Sequence, residues 1–397
     1  MLDFFTFIDD FVWGPPLLVL LVGTGIYLTI RLGLLQIIRL PKAFKLIFAE
    51  DKGEGDISSF AALATALAAT IGTGNIVGVA TAIKTGGPGA LFWMWIAAFF
   101  GMATKYAEGL LAIKFRTLDD QGNVSGGPMY YITHGFSGKW QIIAKPLAYF
   151  FAFAGVLVAW LGIGTFSQVN SITSSLQNSF GWSPKIVSVI LALITAAIIF
   201  GGIQSISKVS EKVVPFMAGL YIIAALIVIF ANFNQLLPVL EMVFQSAFTG
   251  KAAVGGFAGA TVMAAMRLGI ARGVFSNESG LGSAPIAAAA AKTEEPVEQG
   301  LISMTGTFID TIIICTLTGL AILVTGQWSG SLEGAPMTQA AFSSIFGTFG
   351  ELALTLSLVL FAFTTILGWS YYGERCFEFI FKSTKFLSFK IAEFVST

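Results

Sequence analysis

Nine apolar runs follow one another along the chain, near residues 14–34, 58–85, 89–115, 145–175, 185–202, 213–231, 254–291, 299–325 and 345–381. A hydrocarbon core is crossed by about 20 helical residues, so each run approaches or exceeds the length of a membrane span. A β-barrel would alternate with period two in segments of roughly ten residues. These runs are longer and continuous, which predicts an all-α integral membrane protein. Only 11% of the residues are charged, against roughly a quarter in soluble proteins, and the mean hydropathy is +0.82. One transmembrane domain is expected to fill residues 1–397, with the lipid bilayer as its surroundings.

The N-terminal MLDFFTFIDD is acidic where a cleavable signal peptide would be basic, so the first run is expected to remain as a helix. Cys315 and Cys376 lie in or beside apolar runs and read as small buried hydrophobes rather than a disulfide or thiolate metal site. Lysine and arginine collect in alternate loops: Arg31, Arg39, Lys42, Lys45 and Lys52; then Lys105, Lys114, Arg116, Lys139 and Lys145; then Lys208 and Lys212. The opposite set holds Lys84, Lys185 and Lys251 beside Asp3, Asp9, Asp10, Glu241 and Glu333. The positive-inside rule then puts the basic loops in the cytoplasm and the N-terminus outside a cell membrane that the chain crosses many times.

Two runs are interrupted. "ATIGTGNIVG", 69–78, sets Gly72, Gly74 and Gly78 beside Thr70, Thr73 and Asn75. Each interior glycine weakens a helix by roughly 1 kcal/mol. Close packing through the Gly74-x-x-x-Gly78 pair explains the glycines and leaves the polar residues unexplained, since polar groups at that depth need partners. "RGVFSNESGLGS", 272–283, is the second interruption. With the first run set aside as a peripheral helix, 10–35, the interrupted helices are the first and sixth of the remainder and run in opposite directions. That pattern points to an inverted-repeat transporter with discontinuous first and sixth core helices, its first repeat in 57–231 and a partial second in 254–381. Unwinding frees backbone N–H groups that suit a carboxylate and carbonyls that suit a sodium ion or an ammonium, so a zwitterion fits both ends. Adjacent Thr364 and Thr365 in the last run add hydroxyl oxygens of the kind a hard monovalent cation takes.

Four stretches, "GGPGALFWMWIAAFFGM", "GTGNIVGVATAI", "GGPMYYI" and "NESGLGSAPIAAAAA", resemble the alanine or glycine:cation symporter family, and the resemblance extends over roughly residues 10–380. It implies the leucine-transporter architecture and import of small neutral amino acids, chiefly alanine and glycine, driven by sodium or, in some members, protons. Residue by residue it implies that the N–H groups of Thr73 and Gly74 receive the substrate carboxylate and that Asn75 binds a coupling ion or supports the break. It implies a sodium site from the carbonyls near Ala68 and Ile71 with the hydroxyls of Thr364 and Thr365. Phe275, Ser276 and Asn277 match the unwound part of the sixth core helix, whose carbonyls would take the ammonium, and Gln168 and Trp369 would close the pocket. Bulky Phe275 and Trp369 would exclude larger side chains, because a methyl group adds only about 0.8 kcal/mol of burial. The architecture also implies ten core helices, of which eight are visible before the tail "KSTKFLSFKIAEFVST", so the chain is expected to be short at its C-terminus and its turnover to depend on that.

Asp310 and Glu278 are carboxylates near membrane depth and hence functional candidates. The structural alternative is an ion pair of Arg272 with Glu278 or Asp310. Lys105 and Glu108 have i, i+3 spacing suited to a local pair, which reads as an anchor or an intracellular gate. His134, the only histidine, reads as a solvated loop residue. No H-E-x-x-H, G-x-S-x-G or Cys/His cluster supports an enzyme, no charge ring or filter repeat supports a channel, and zero net charge gives nucleic acid nothing to bind. The expectation is a sodium-coupled alanine/glycine symporter that needs no protein partner. A proton-coupled transporter of another small amino acid and an amino-acid-binding membrane fragment that does not transport are the alternatives.

Overall fold

A computed structural model describes residues 11–51, 53–118, 123–249 and 262–381. The acidic residues Asp3, Asp9 and Asp10, the basic Lys52 and Lys251, the start of the seventh apolar run and the tail beyond Phe381 lie outside the described residues.

The described chain is helical apart from one two-stranded hairpin, Thr117–Leu118 with Val124–Ser125. Helix α1 (Pro15–Arg31) opens on proline, whose fixed φ and missing N–H suit a first turn. The amphipathic α2 (Leu40–Ile47) follows. Helix α3 (Ser59–Thr70) is capped by Ser58, whose hydroxyl accepts the Ala61 N–H at 2.9 Å. It is bent by 52° from the continuation that runs through a π turn, Gly74–Gly78, into α4 (Val79–Gly86). Helix α5 (Gly89–Lys114) returns across the molecule, and the short α6 (Pro128–Gly135) lies after the hairpin.

Helices α7 (Gln141–Leu161) and α8 (Phe166–Phe180) meet at a break. There Thr165 Oγ1 donates to Ala159 O at 2.7 Å and Gln168 Nε2 to Ile163 O at 2.9 Å, so carbonyls released from the helix ladder find side-chain donors. Helices α9 (Pro184–Ile199), α10 (Gly202–Ala231) and α11 (Phe233–Thr249) complete the first half of the chain. After it come α12 (Val262–Asn277), the short α13 (Ala284–Ala288), α14 (Pro296–Thr307), a π segment, Phe308–Cys315, that leads into α15 (Thr316–Val324), then α16 (Gly334–Phe346) and α17 (Thr348–Phe381).

Among the described residues five helical stretches are long and apolar enough to cross a bilayer, and the bent pair around residues 71–73 makes a sixth. The expected first and fifth runs form apolar helices of 17 and 16 residues, which extend only about 25 Å at 1.5 Å per residue. The spans differ in surroundings. Gly89–Lys114, Pro296–Val324 and Thr348–Phe381 are each 67% buried in their most apolar window, whereas the stretch through α7 and α8 is 28% buried. Phe150, Leu193, Ile223 and Phe230 on the outer helices are exposed and present the apolar surface that lipid requires.

Small residues bring the inner helices together. A Cβ at Gly269 would stand 2.3 Å from Ala90 O, and one at Gly109 would stand 2.4 Å from Ser303 Oγ, so α5 touches α12 and α14 almost backbone to backbone. The Gly74-x-x-x-Gly78 pair does not act as one unit. A Cβ at Gly74 would meet Ser276 Cα at 3.3 Å, while Gly78 has open space.

Candidate functional site

The first break is narrower than the glycines suggest. Only Ile71 and Gly72 leave the helix, and Gly74 and Asn75 already belong to the π turn, a form of helix frequent at functional sites. Asn75 holds the break together: its Oδ1 accepts the Gly72 N–H at 2.9 Å, and its own N–H donates to Gly72 O at 3.2 Å. Thr73 and Gly74 start the following helix, where the first N–H groups have no intrahelical acceptor.

The second break also differs from expectation. Phe275, Ser276 and Asn277 are the last turn of α12, and the residues out of helical conformation are Glu278–Ser283. The helix ends in a left-handed cap: Glu278 has φ 56°, and its N–H donates to Val274 O at 2.7 Å. Glycine ordinarily fills that position, and an L side chain there costs about 1–2 kcal/mol. The reason for a glutamate is in its contacts, since Oε1 accepts the indole N–H of Trp369 at 3.1 Å and Oε2 accepts the Ser283 hydroxyl.

Asp310 joins the two breaks. It lies in the π segment Phe308–Cys315 and is fully buried. Asn75 Nδ2 donates to its Oδ1 at 2.7 Å, and Ser276 Oγ and Thr311 Oγ1 donate to its Oδ2 at 2.9 and 2.7 Å. Asn277 Nδ2 donates to Thr311 Oγ1 at 3.0 Å, and the Cys315 sulfur lies 3.4 Å from Asn75 Nδ2 and 3.3 Å from Ser276 Oγ. Residues more than 200 positions apart in the chain therefore share one carboxylate. Oxygen donors dominate this cluster, and a carboxylate, two hydroxyls and the carbonyls in the last turn of α12 suit a hard cation.

The remaining expected residues divide. Thr365 faces the first break, because a Cβ at Gly72 would lie 2.4 Å from its Oγ1, and Ala68 and Ile71 are fully buried nearby in sequence. Thr364 points elsewhere: its Oγ1 lies 3.5 Å from Met217 Sδ on α10 and donates to Phe361 O at 3.0 Å. Adjacent helical residues point about 100° apart, and in this structure Thr365 alone lies against Gly72. Trp369 reaches Glu278, whereas Gln168 is engaged with Ile163 O at the α7–α8 break. Arg272 pairs with neither Glu278 nor Asp310. Its guanidinium lies 5.7 Å from the Phe275 ring centre, beside a cavity of about 230 Å³ shared with Trp13 and Arg267. The half-buried Phe275 thus lines that outer cavity.

Lys105 and Glu108 do not pair locally. Glu108 Oε1 accepts the Gly282 N–H at 3.0 Å across the second break, and both residues are buried. Cys315, Thr311 and Glu108 belong to the site or its supports and were not among the expected binding residues. Thr311 directly follows Asp310, and that adjacency was the available signal. Cys315 and Cys376 are both free and buried, but only Cys376 keeps its reading as a small apolar residue, since the Cys315 sulfur lies among the polar side chains of the site; His134 is exposed on α6.

A second set of contacts gathers around the lead into α3. Asp56 N and Ile57 N donate to Ala290 O at 2.9 and 3.1 Å, and Lys292 N donates to Ile57 O at 2.8 Å, so the lead into α3 is stitched to the segment after α13. Arg116 closes this clasp with bonds of 2.7 to 2.9 Å to the carbonyls of Glu54, Ala289, Ala291 and Thr293. Burial lowers the pKa of its guanidinium from the ordinary value, against the opposing field of Asp56, Glu54 and Glu294. Ser58 ties the same lead to α10 through a 3.1 Å bond to Glu211 Oε1.

The profile of the sodium:alanine symporter family matches residues 1–396. An uncharacterised transporter of Haemophilus influenzae is 56% identical over 376 residues, covering 94% of this chain and 81% of the relative. The sodium/alanine symporter AgcS of Methanococcus maripaludis is 51% identical over 394 residues, covering 97% of this chain and 85% of AgcS. Among solved structures, MhsT in complex with L-phenylalanine superposes with a TM-score of 0.61 at 14% identity, over 88% of this chain and 79% of that one, which shows a shared leucine-transporter-like fold. The chain is a multi-pass membrane protein and not an enzyme, and it belongs to the sodium:alanine symporter family.

Proposed function

We propose that the chain imports small neutral amino acids, alanine and glycine foremost, together with sodium, by alternating access around the two breaks. The observation that carries this reading is the Asp310 carboxylate, which accepts Asn75 Nδ2 from the first break and Ser276 Oγ from the second. A single group that senses both half-helix ends is positioned to couple an ion to a substrate. In this reading the substrate carboxylate is received by the N–H groups of Thr73 and Gly74, and its ammonium by the carbonyls at the end of α12. The cation takes oxygens from Asp310, Ser276 and Thr311, and a second cation position uses Thr365 with the carbonyls of Ala68 and Ile71. Trp369, held by Glu278, closes the pocket. The basic loops face the cytoplasm and the N-terminus lies outside, as the distribution of lysine and arginine supports.

Relatedness to AgcS at 51% identity supports both the cation and the substrate class. The test is uptake of labelled alanine and glycine into proteoliposomes under an imposed sodium gradient, a proton gradient or none. Sodium-driven, saturable uptake is expected. Uptake driven equally by a proton gradient without sodium would overturn the choice of ion, and absence of alanine binding would overturn the site.

A further inference from the structure

Lys105 lies in the middle of the inner helices, on α5, with 3% of its surface exposed. Among the described residues its ammonium has no hydrogen-bond partner. It borders a cavity of about 20 Å³ whose walls include Thr70 at the end of α3, Asn277 at the end of α12, and Gln299, whose Oε1 is also without a partner. That volume admits about one water. Three carboxylates, Glu108, Glu278 and Asp310, are within electrostatic reach of the ammonium. Glu108 gives Oε1 to the Gly282 N–H while its Oε2 has no partner among the described residues, Glu278 is held by Trp369 and Ser283, and Asp310 by Asn75, Ser276 and Thr311.

A buried charge without a direct partner is costly. Here the surrounding carboxylates offset that cost through their field rather than through contact. Three acidic groups then share one fixed cation, and the cluster attracts a further positive charge less strongly than it would without Lys105. The location between the ends of α3 and α12 puts that fixed charge beside both breaks.

We infer that Lys105 is a fixed counter-cation of the transport site, a positioning residue that sets how tightly the coupling cation is held near Asp310. The inference rests on the sodium-coupled reading above. Lys105→Met keeps the apolar stem and removes the charge, so the sodium concentration that half-saturates alanine uptake falls, on the order of tenfold for one unit charge acting through a protein interior. Lys105→Arg keeps the charge and leaves that concentration near wild type. Glu108→Gln keeps an acceptor for the Gly282 N–H and removes a negative charge, so the same quantity moves the other way. The alanine KM at saturating sodium changes little, because a zwitterion carries no net charge.

The experiment is alanine uptake into proteoliposomes across a range of sodium concentrations for the four proteins, with sodium-dependent thermal stabilisation in detergent as the readout for any variant that transports poorly. Opposite shifts for Lys105→Met and Glu108→Gln, with Lys105→Arg near wild type, are expected. A half-saturating concentration that does not move in Lys105→Met, or moves equally in Lys105→Arg, overturns the inference while leaving sodium coupling intact. A wild-type chain indifferent to sodium overturns the coupling reading and this inference with it.

Discussion

At Asp310 one carboxylate accepts three buried donors, and charge-assisted bonds of this kind are roughly twice as strong as neutral ones. Asp310→Asn is nearly isosteric and neutral, so sodium-dependent uptake is expected to fall more than about tenfold while the protein still purifies as a folded species. Size-exclusion behaviour and uptake measured on the same preparation separate the two effects. Gly72 is a second test, since an added Cβ meets Thr365 Oγ1 at 2.4 Å. Gly72→Ala is expected to destabilise by about 1–3 kcal/mol through overpacking, and Gly72→Ala with Thr365→Ala to recover most of that loss in thermal unfolding without recovering transport. Glu278 gives a comparison free of its side-chain contacts. Glu278→Gly and Glu278→Ala both lose Trp369 and Ser283, but only alanine keeps the left-handed strain, so glycine is expected to be the more stable by about 1–2 kcal/mol; equal melting temperatures would refute the strained cap.

The scale of helices shows what the chain discloses before folding and what it withholds. Both interruptions are legible as glycines among polar residues in apolar runs, and so is Asp310 as a charge out of place. Their widths are not legible. The π turn at Gly74–Gly78 rewinds residues that a glycine count assigns to a gap, and the left-handed cap at Glu278 moves the second opening beyond Asn277. Adjacent threonines look equivalent in a sequence, yet helical geometry sends Thr364 toward Met217 and Thr365 toward Gly72. Cys315 joins the site because the π segment brings it near Asn75 and Ser276, a registration that no 3.6-residue pattern announces. Element contacts also predict behaviour at the clasp. Arg116→Ala removes charged bonds to four carbonyls and is expected to cost about 1–3 kcal/mol. Spin labels at Glu54 and Lys292, both exposed, would then report a broader distance distribution than in the wild type, and an unchanged one would count against a clasp that holds α3 and α13 together.

Across the whole molecule, charge distribution and burial make a joint prediction. Lys139 follows α6 among the basic loops and Glu333 lies in the opposite set; both are exposed. A membrane-impermeant maleimide is expected to label Lys139→Cys only from the cytoplasmic face and Glu333→Cys only from the outside. The native Cys315 and Cys376, both buried, should stay silent in the same assay. Labelling of both introduced cysteines from one face would reverse the orientation or the span count between them.

The acceptors of the Arg116 fork are all main-chain carbonyls. No side chain at Glu54, Ala289, Ala291 or Thr293 is needed to receive it. Ala289, Ala291 and Thr293 are buried, so packing restricts what can stand there, whereas the exposed Glu54 can change its side chain and keep its carbonyl bond to Arg116. Lineage-to-lineage drift at position 54, against small residues at 289 and 291 and a cation at 116, is the evolutionary signature it should leave.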